Sequence, residues 1–142
     1  MKRSFPIWKA ARLGGLPILW LVTALLMARD HLTDPYDASR QGTSAYGHNQ
    51  PGALVQGLGL TLVELAVVYL ILRPESYRQS WGRPVLALFI YVPWTFMSMF
   101  MTMHSGGILA LHFLWLASVV LILGLCGIWS GIGTLQSRRR VE

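Results

Sequence analysis

Long apolar stretches alternate with polar segments along this chain of 142 residues. The apolar stretches cover residues 13–28, 52–72, 84–103 and 106–129, and Glu64 is the only formally charged residue within them. An α-helix needs about 20 residues to cross about 30 Å of hydrocarbon, and each stretch is close to that length. Because a bilayer offers no partner to an unpaired N–H or C=O, such spans are expected to be helices. The pattern predicts an all-α polytopic membrane protein.

The lengths of the connections then predict how the helices are arranged. Residues 104–107 leave room only for a tight turn, so the third and fourth spans are expected to form an antiparallel hairpin. Four spans joined in this way form an up-down-up-down bundle. Once they are counted, no stretch remains that could build a second core, and residues 1–142 are predicted to form a single transmembrane domain.

The composition agrees with a membrane protein, and the charge distribution predicts how the protein is oriented in the membrane. The chain is 54% hydrophobic and 13% charged, whereas a soluble domain carries about 25% charged residues. Of the twelve Lys and Arg residues, ten precede the first span, separate the second from the third, or follow the fourth; Arg29 and Arg40 are the exceptions. The positive-inside rule places such residues in the cytoplasm. We therefore expect a cell inner-membrane protein with both termini cytoplasmic and an outer loop over residues 29–51.

The net charge of +6 could also indicate a nucleic-acid partner. Its clustering beside the spans favours anionic lipid headgroups instead. The first span, with basic residues before it, could also be a cleaved signal peptide. Cleavage after Ala28 would put Leu26 at a position that prefers a small side chain, which favours an uncleaved helix.

Polar and small residues inside the spans recur at helical spacing. Such stripes are expected to face neighbouring helices, because lipid offers polar groups no partner and small residues let backbones approach. The second span carries one stripe and the third carries another: Gly57, Thr61, Glu64 and Val68, and Tyr91, Thr95, Ser98 and Thr102.

Glu64 is the first candidate for a functional residue, since it is predicted to lie near the middle of the bilayer. An ionised carboxylate there costs a few kcal/mol, about 3 even on the mild insertion scale, so it needs a partner or a proton. By depth, Tyr91 and Trp94 are the nearest candidates. Glu64 could belong to a proton or cation relay. The favoured alternative is a protonated acid that is hydrogen-bonded to Tyr91 or a neighbouring threonine and joins two helices.

His112 is predicted to lie about two turns into the fourth span, near the level of Ser98 and Thr102. A lone intramembrane histidine is favoured as a hydrogen-bonded packing residue over a ligand. A lipid-modifying or redox enzyme could use His112 together with Glu64. Their predicted depths differ by about 9 Å at 1.5 Å per residue, which argues against direct cooperation.

Four methionines occur within residues 97–103, directly before His104. Thioethers are soft ligands that select Cu(I), so Met97, Met101 and His104 form a candidate outer metal site. With Thr102 following, Met97 and Met101 resemble a motif of the high-affinity copper transporter family. The resemblance implies an oligomer whose pore is lined with sulfur, as in that family. Unlike that family, residues 29–51 contain no methionine and the C-terminus contains no Cys or His.

Gly127 and Gly131 stand at GxxxG spacing in and just after the fourth span. This spacing marks close helix contact, either within the bundle or in a homo-oligomer. No nucleophile–base pair, carboxylate pair, phosphate loop or metal-spaced Cys/His cluster appears, so an enzyme is not predicted. The leading hypothesis is a small membrane protein that acts by contact, as an accessory subunit, a regulator or an immunity-type protein, without a cofactor. The alternative is transport of protons or copper.

Overall fold

A computed structural model describes residues 7–33, 52–72, 82–102 and 106–138. Within these ranges the chain is helical. Helix α1 (Ile7–Ala10) continues through a π-helical turn (Ala11–Gly15) into α2 (Leu16–Thr33), and α3 (Ala53–Ile71), α4 (Gly82–Thr102) and α5 (Gly107–Arg138) follow. Pro17 is the second residue of α2, just after the π-helical turn; because proline has no backbone N–H, it interrupts the hydrogen-bond ladder of the continuous helix there.

Four helical segments are long and apolar enough to cross a membrane: Ala11–Thr33, Ala53–Ile71, Gly82–Phe100 and Gly107–Trp129. Large apolar side chains are exposed along all of them, among them Ile18, Leu62, Phe89 and Leu121. In water such a surface would be an aggregation hazard, whereas hydrocarbon accepts it. The all-helical fold with four such helices indicates a multi-pass membrane protein.

Two helices continue past the C-terminal ends of the predicted spans. The first continues through Arg29 and Asp30 to Thr33, so the loop predicted over 29–51 begins no earlier than residue 34. The prediction was wrong here because apolar character ends at Ala28, whereas backbone hydrogen bonding continues into polar residues. Residues 34–51 lie outside the described residues. For the same reason α5 continues past Trp129 to Arg138.

Helix α5 is the centre of the bundle and packs against α2, α3 and α4. Its buried residues dominate the apolar core, to which the other helices add fewer side chains each. The core consists of Leu16, Val68, Leu72, Ala87, Tyr91, Trp115, Leu116, Val119 and Leu123.

A glycine allows a close approach between helices. A Cβ at Gly57 of α3 would lie 2.8 Å from Cγ2 of Ile108 in α5 and 3.4 Å from Sδ of Met27 in α2. Three helices therefore meet at one level, which fixes how α3 and α5 are offset along their axes. The predicted stripe of the second span is confirmed here, since the buried residues of α3 are Gly57, Thr61, Glu64 and Val68.

Candidate functional site

Polar side chains from α3, α4 and α5 meet at one place within the bundle. Glu64 lies on the buried stripe of α3 and is only 6% exposed. Ser98 of α4 and His112 of α5 are also buried, and Trp115 lies one turn further along α5. We call the group formed by Glu64, Tyr91, Trp94, Ser98, His112 and Trp115 the Glu64 cluster.

Both carboxylate oxygens of Glu64 accept a hydrogen bond from an indole. Nε1 of Trp94 donates to Oε1 at 2.6 Å, and Nε1 of Trp115 donates to Oε2 at 3.0 Å. An indole N–H can only donate. The two tryptophans therefore require an acceptor at each oxygen of this side chain.

His112 links the carboxylate to a hydroxyl. Its Nε2 lies 3.0 Å from Oε1 of Glu64, and its Nδ1 lies 2.9 Å from Oγ of Ser98. Each imidazole nitrogen can donate or accept, and both donate when the ring is charged. Glu64, His112 and Ser98 thus form a continuous hydrogen-bonded chain across three helices.

Tyr91 supports the cluster through the backbone. Its hydroxyl donates to the main-chain carbonyl of Glu64 at 2.7 Å. The sequence predicted Tyr91 and Trp94 as the nearest partners of this acid, and both contact the residue. Only Trp94 binds the carboxylate itself, whereas Tyr91 joins α4 to α3 beside it.

The expected separation of Glu64 and His112 was wrong. Counting residues from the span ends gave a difference in depth of about 9 Å at 1.5 Å per residue. The two side chains are nevertheless in hydrogen-bond contact. The cause is the offset between α3 and α5, because Gly57, the fifth residue of α3, meets Ile108, the second of α5. Glu64 follows Gly57 by seven positions and His112 follows Ile108 by four. The remaining difference, about 4.5 Å at helical rise, is bridged by the two side chains.

Trp115 was missed by sequence reasoning, although a signal was present. It stands three positions after His112, so both residues lie on one face of α5. It also follows Ile108 by seven positions, as Glu64 follows Gly57. An indole on the same face as an intramembrane histidine could have been predicted to join its hydrogen-bonded group.

A second polar contact joins α2 to α3 one turn from the Glu64 cluster. Nε1 of Trp20 donates to Oγ1 of Thr61 at 3.1 Å, and the Thr61 hydroxyl lies 2.9 Å from the carbonyl oxygen of Gly57, to which it donates. The buried stripe of α3 therefore provides hydrogen-bond partners to α2 at Thr61 and to α4 and α5 at Glu64.

The candidate metal ligands are only partly described. Met97 is 58% exposed on α4, and Met101 lies in the last turn of that helix. His104 lies outside the described residues. Among the residues that the structure describes, no group of three His, Cys, Asp or Glu side chains could hold a metal ion. Copper binding by Met97, Met101 and His104 stays a prediction.

The two glycines of the GxxxG pair differ in their surroundings. A Cβ at Gly127 would lie 3.8 Å from Cβ of Pro84 and 3.9 Å from Cγ2 of Val85, so this residue packs against the start of α4. A Cβ at Gly131 would meet no described atom within 4 Å. The pair is therefore divided between an internal contact and an open position on α5.

Chemically, the Glu64 cluster can hold a proton between a carboxylate and an imidazole. Its hydrogen bonds also tie α3, α4 and α5 together inside the bundle. Compared with known proteins, the chain matches no protein family, no curated protein and no solved structure.

Proposed function

We propose that this protein is a small inner-membrane protein that acts by contact with another membrane protein or with a second copy of itself. It would serve as an accessory subunit, a regulator or an immunity-type protein, in a non-enzymatic role. The observation that carries the proposal is the open position at Gly131 of α5. A glycine that no described atom of its own chain approaches within 4 Å allows close approach of another helix.

The Glu64 cluster is consistent with this role. Its carboxylate, imidazole and indole groups bind one another across three helices, which suits a rigid scaffold. A scaffold of this kind presents its lipid-facing helices in fixed positions. Contact function then depends on the surface of the bundle, and above all on the exposed side of α5.

The proposed orientation has both termini in the cytoplasm and the four spans alternating in direction. Its support is the distribution of basic residues, which the positive-inside rule relates to the cytoplasmic side. The contacts at the helix ends are compatible with it, because the end of α2 meets the starts of α3 and α5 through Met27, Gly57 and Ile108. Reporter fusions after Arg139 and within residues 34–51 should report opposite sides of the membrane.

The contact proposal is tested with Gly131→Leu in the full chain, expressed in native membranes and purified through an affinity tag. Proteins recovered with the wild type are identified by mass spectrometry, and a second, differently tagged copy reports self-association. We expect Gly131→Leu to lose the recovered partner or the second copy. Unchanged recovery would overturn the proposal.

Two further glycine variants serve as controls. Gly59→Leu adds the same side chain at an open position on α3 and should leave partner recovery unchanged. Gly127→Leu should disturb packing against Pro84 and Val85, and so lower the thermal stability of the isolated protein. Gly131→Leu should not change that stability.

A second candidate function is transport of protons or a soft metal ion. The contact of His112 with both Glu64 and Ser98 favours protons, because a histidine can accept a proton on one nitrogen and release it from the other. Proteoliposomes that enclose a pH-sensitive dye would report proton flux, which Glu64→Gln should abolish. The copper content of the purified protein, compared with that of the Met97→Leu/Met101→Leu variant, tests whether these methionines bind copper. Absence of both flux and copper would exclude transport.

A further inference from the structure

The geometry points to a proton-binding site in the Glu64 cluster. We propose that the cluster binds one proton as an ion pair, in which Trp94 and Trp115 keep Glu64 ionised and His112 carries the proton. This inference goes beyond the contact function and does not require that protons cross the membrane. It replaces the sequence-based expectation of a protonated acid.

The first step of the argument is the net charge of the site. A neutral carboxylic acid beside a neutral imidazole and a carboxylate beside an imidazolium both have a net charge of zero. They differ by one proton transfer, in which the O–H bond at Oε1 of Glu64 breaks and an N–H bond forms at Nε2 of His112. An uncompensated carboxylate in the bilayer is costly, so one of these two neutral forms is expected to be occupied.

The hydrogen bonds distinguish the two forms. An ionised carboxylate is acceptor-only, and three nitrogen donors surround this one: Trp94 and His112 at Oε1, and Trp115 at Oε2. In the ion pair every one of these contacts has a donor and an acceptor. Hydrogen bonds of this charge-assisted kind are about twice as strong as those between neutral groups.

The neutral acid–imidazole pair would form weaker hydrogen bonds among the same atoms. A proton on Oε2 would face the N–H of Trp115, so two donors would oppose each other across 3.0 Å. A proton on Oε1 could donate to Nε2 of His112, but the same hydroxyl oxygen would also have to accept from Trp94 at 2.6 Å. The two indoles therefore favour the carboxylate.

Ser98 completes the site at the other side of the imidazole. When Nδ1 of His112 carries a proton it donates to Oγ of Ser98, and when it does not the Ser98 hydroxyl can rotate and donate to Nδ1. The Ser98 hydroxyl can therefore satisfy Nδ1 in either form of the ring. In the ion pair, Nε2 carries the other ring proton and donates to Glu64.

The groups that face this site come from every helix packed around it. Glu64 of α3, Tyr91 of α4 and His112 of α5 are its titratable members. The described charged or titratable residues of the N-terminal helical segment lie toward its two ends: Lys9, Arg12, Arg29, Asp30 and His31. The nearest counter-charge for His112 is accordingly Glu64.

Infrared and nitrogen-15 NMR spectra of the full chain in lipid vesicles test the proposal. At acidic pH we expect a carboxylate stretch that is lost in Glu64→Gln, and two protonated ring nitrogens on His112, assigned by the loss of their signals in His112→Asn. A carbonyl stretch of a protonated acid that disappears in Glu64→Gln, or a His112 ring with one proton at every pH, would overturn the assignment.

Trp115→Phe tests the role of the indoles separately. It removes one N–H donor and keeps an aromatic ring, so the proton should shift toward Glu64 and the stretch of a protonated acid should appear. Trp129→Phe, an exposed position on the same helix, should leave the spectrum unchanged. A Trp115→Phe spectrum identical to that of the wild type would show that the indoles do not place the proton.

Discussion

The indole of Trp115 donates to Oε2 of Glu64 at 3.0 Å. Trp115 stands seven positions after Ile108 in α5, and Glu64 stands seven positions after Gly57 in α3, where Gly57 and Ile108 are themselves in contact. These two contacts set the relative height of α3 and α5. The glycine contact brings the helices together near one end, and the indole–carboxylate contact joins them two turns further along. The Glu64 cluster therefore depends on a packing contact that lies outside it.

The first prediction concerns that packing contact. Gly57→Ala would place a methyl group 2.8 Å from Cγ2 of Ile108, so the Ile108 side chain or the helices themselves must shift. Such overpacking costs about 1–3 kcal/mol. We expect a lower free energy of unfolding in detergent, measured by circular dichroism. Gly59→Ala, at an open position on the same helix, is the control and should be neutral or slightly stabilising; equal effects of the two substitutions would contradict the prediction.

The second prediction concerns the acceptors that Glu64 provides. Glu64→Gln keeps the size of the side chain but turns one acceptor into an N–H donor, which must then face an indole or the imidazole. Leaving a buried donor without an acceptor costs about 1–3 kcal/mol. Glu64→Leu removes all acceptors and should be more destabilising. Unfolding of both variants in detergent ranks their stabilities. A Glu64→Leu variant that is more stable than Glu64→Gln would refute the view that the carboxylate binds three donors.

The outcome at Glu64 shows how far the sequence could predict this site. The burial of Gly57, Thr61, Glu64 and Val68 was predictable, because a stripe at helical spacing is a property of one helix. The approach of His112 to Glu64 was not, since it depends on the offset between two helices. Counting residues from the ends of apolar spans assumes that those ends are level, and the contact of Gly57 with Ile108 shows that they are not.

The third prediction separates the backbone contact of Tyr91 from the carboxylate. Tyr91→Phe removes the hydrogen bond to the Glu64 carbonyl and leaves the indole and imidazole contacts in place. Interhelical hydrogen bonds in membranes contribute about 0.6 kcal/mol on average and at most about 1.7 kcal/mol. We expect a loss of stability within that range, with the infrared bands of Glu64 unchanged. Tyr69→Phe keeps the ring beneath Arg12 and should change the stability by less than Tyr91→Phe does.

The fourth prediction tests the contact between α2 and α3. Thr61→Val preserves the shape of the side chain and removes the oxygen that accepts from Nε1 of Trp20. The part-buried indole N–H then loses the acceptor that Thr61 provides, so a loss of about 1 kcal/mol is expected. Thr33→Val is the matched control, because its hydroxyl is exposed and, among the described residues, binds carbonyls of its own helix. Thermal unfolding in one detergent compares the stability of the two variants.

Trp20→Phe should remove the same contact from the other side. The double variant Trp20→Phe/Thr61→Val should therefore lose less stability than the sum of the losses in the two single variants. Strict additivity would show that the indole and the hydroxyl do not stabilise the bundle through each other.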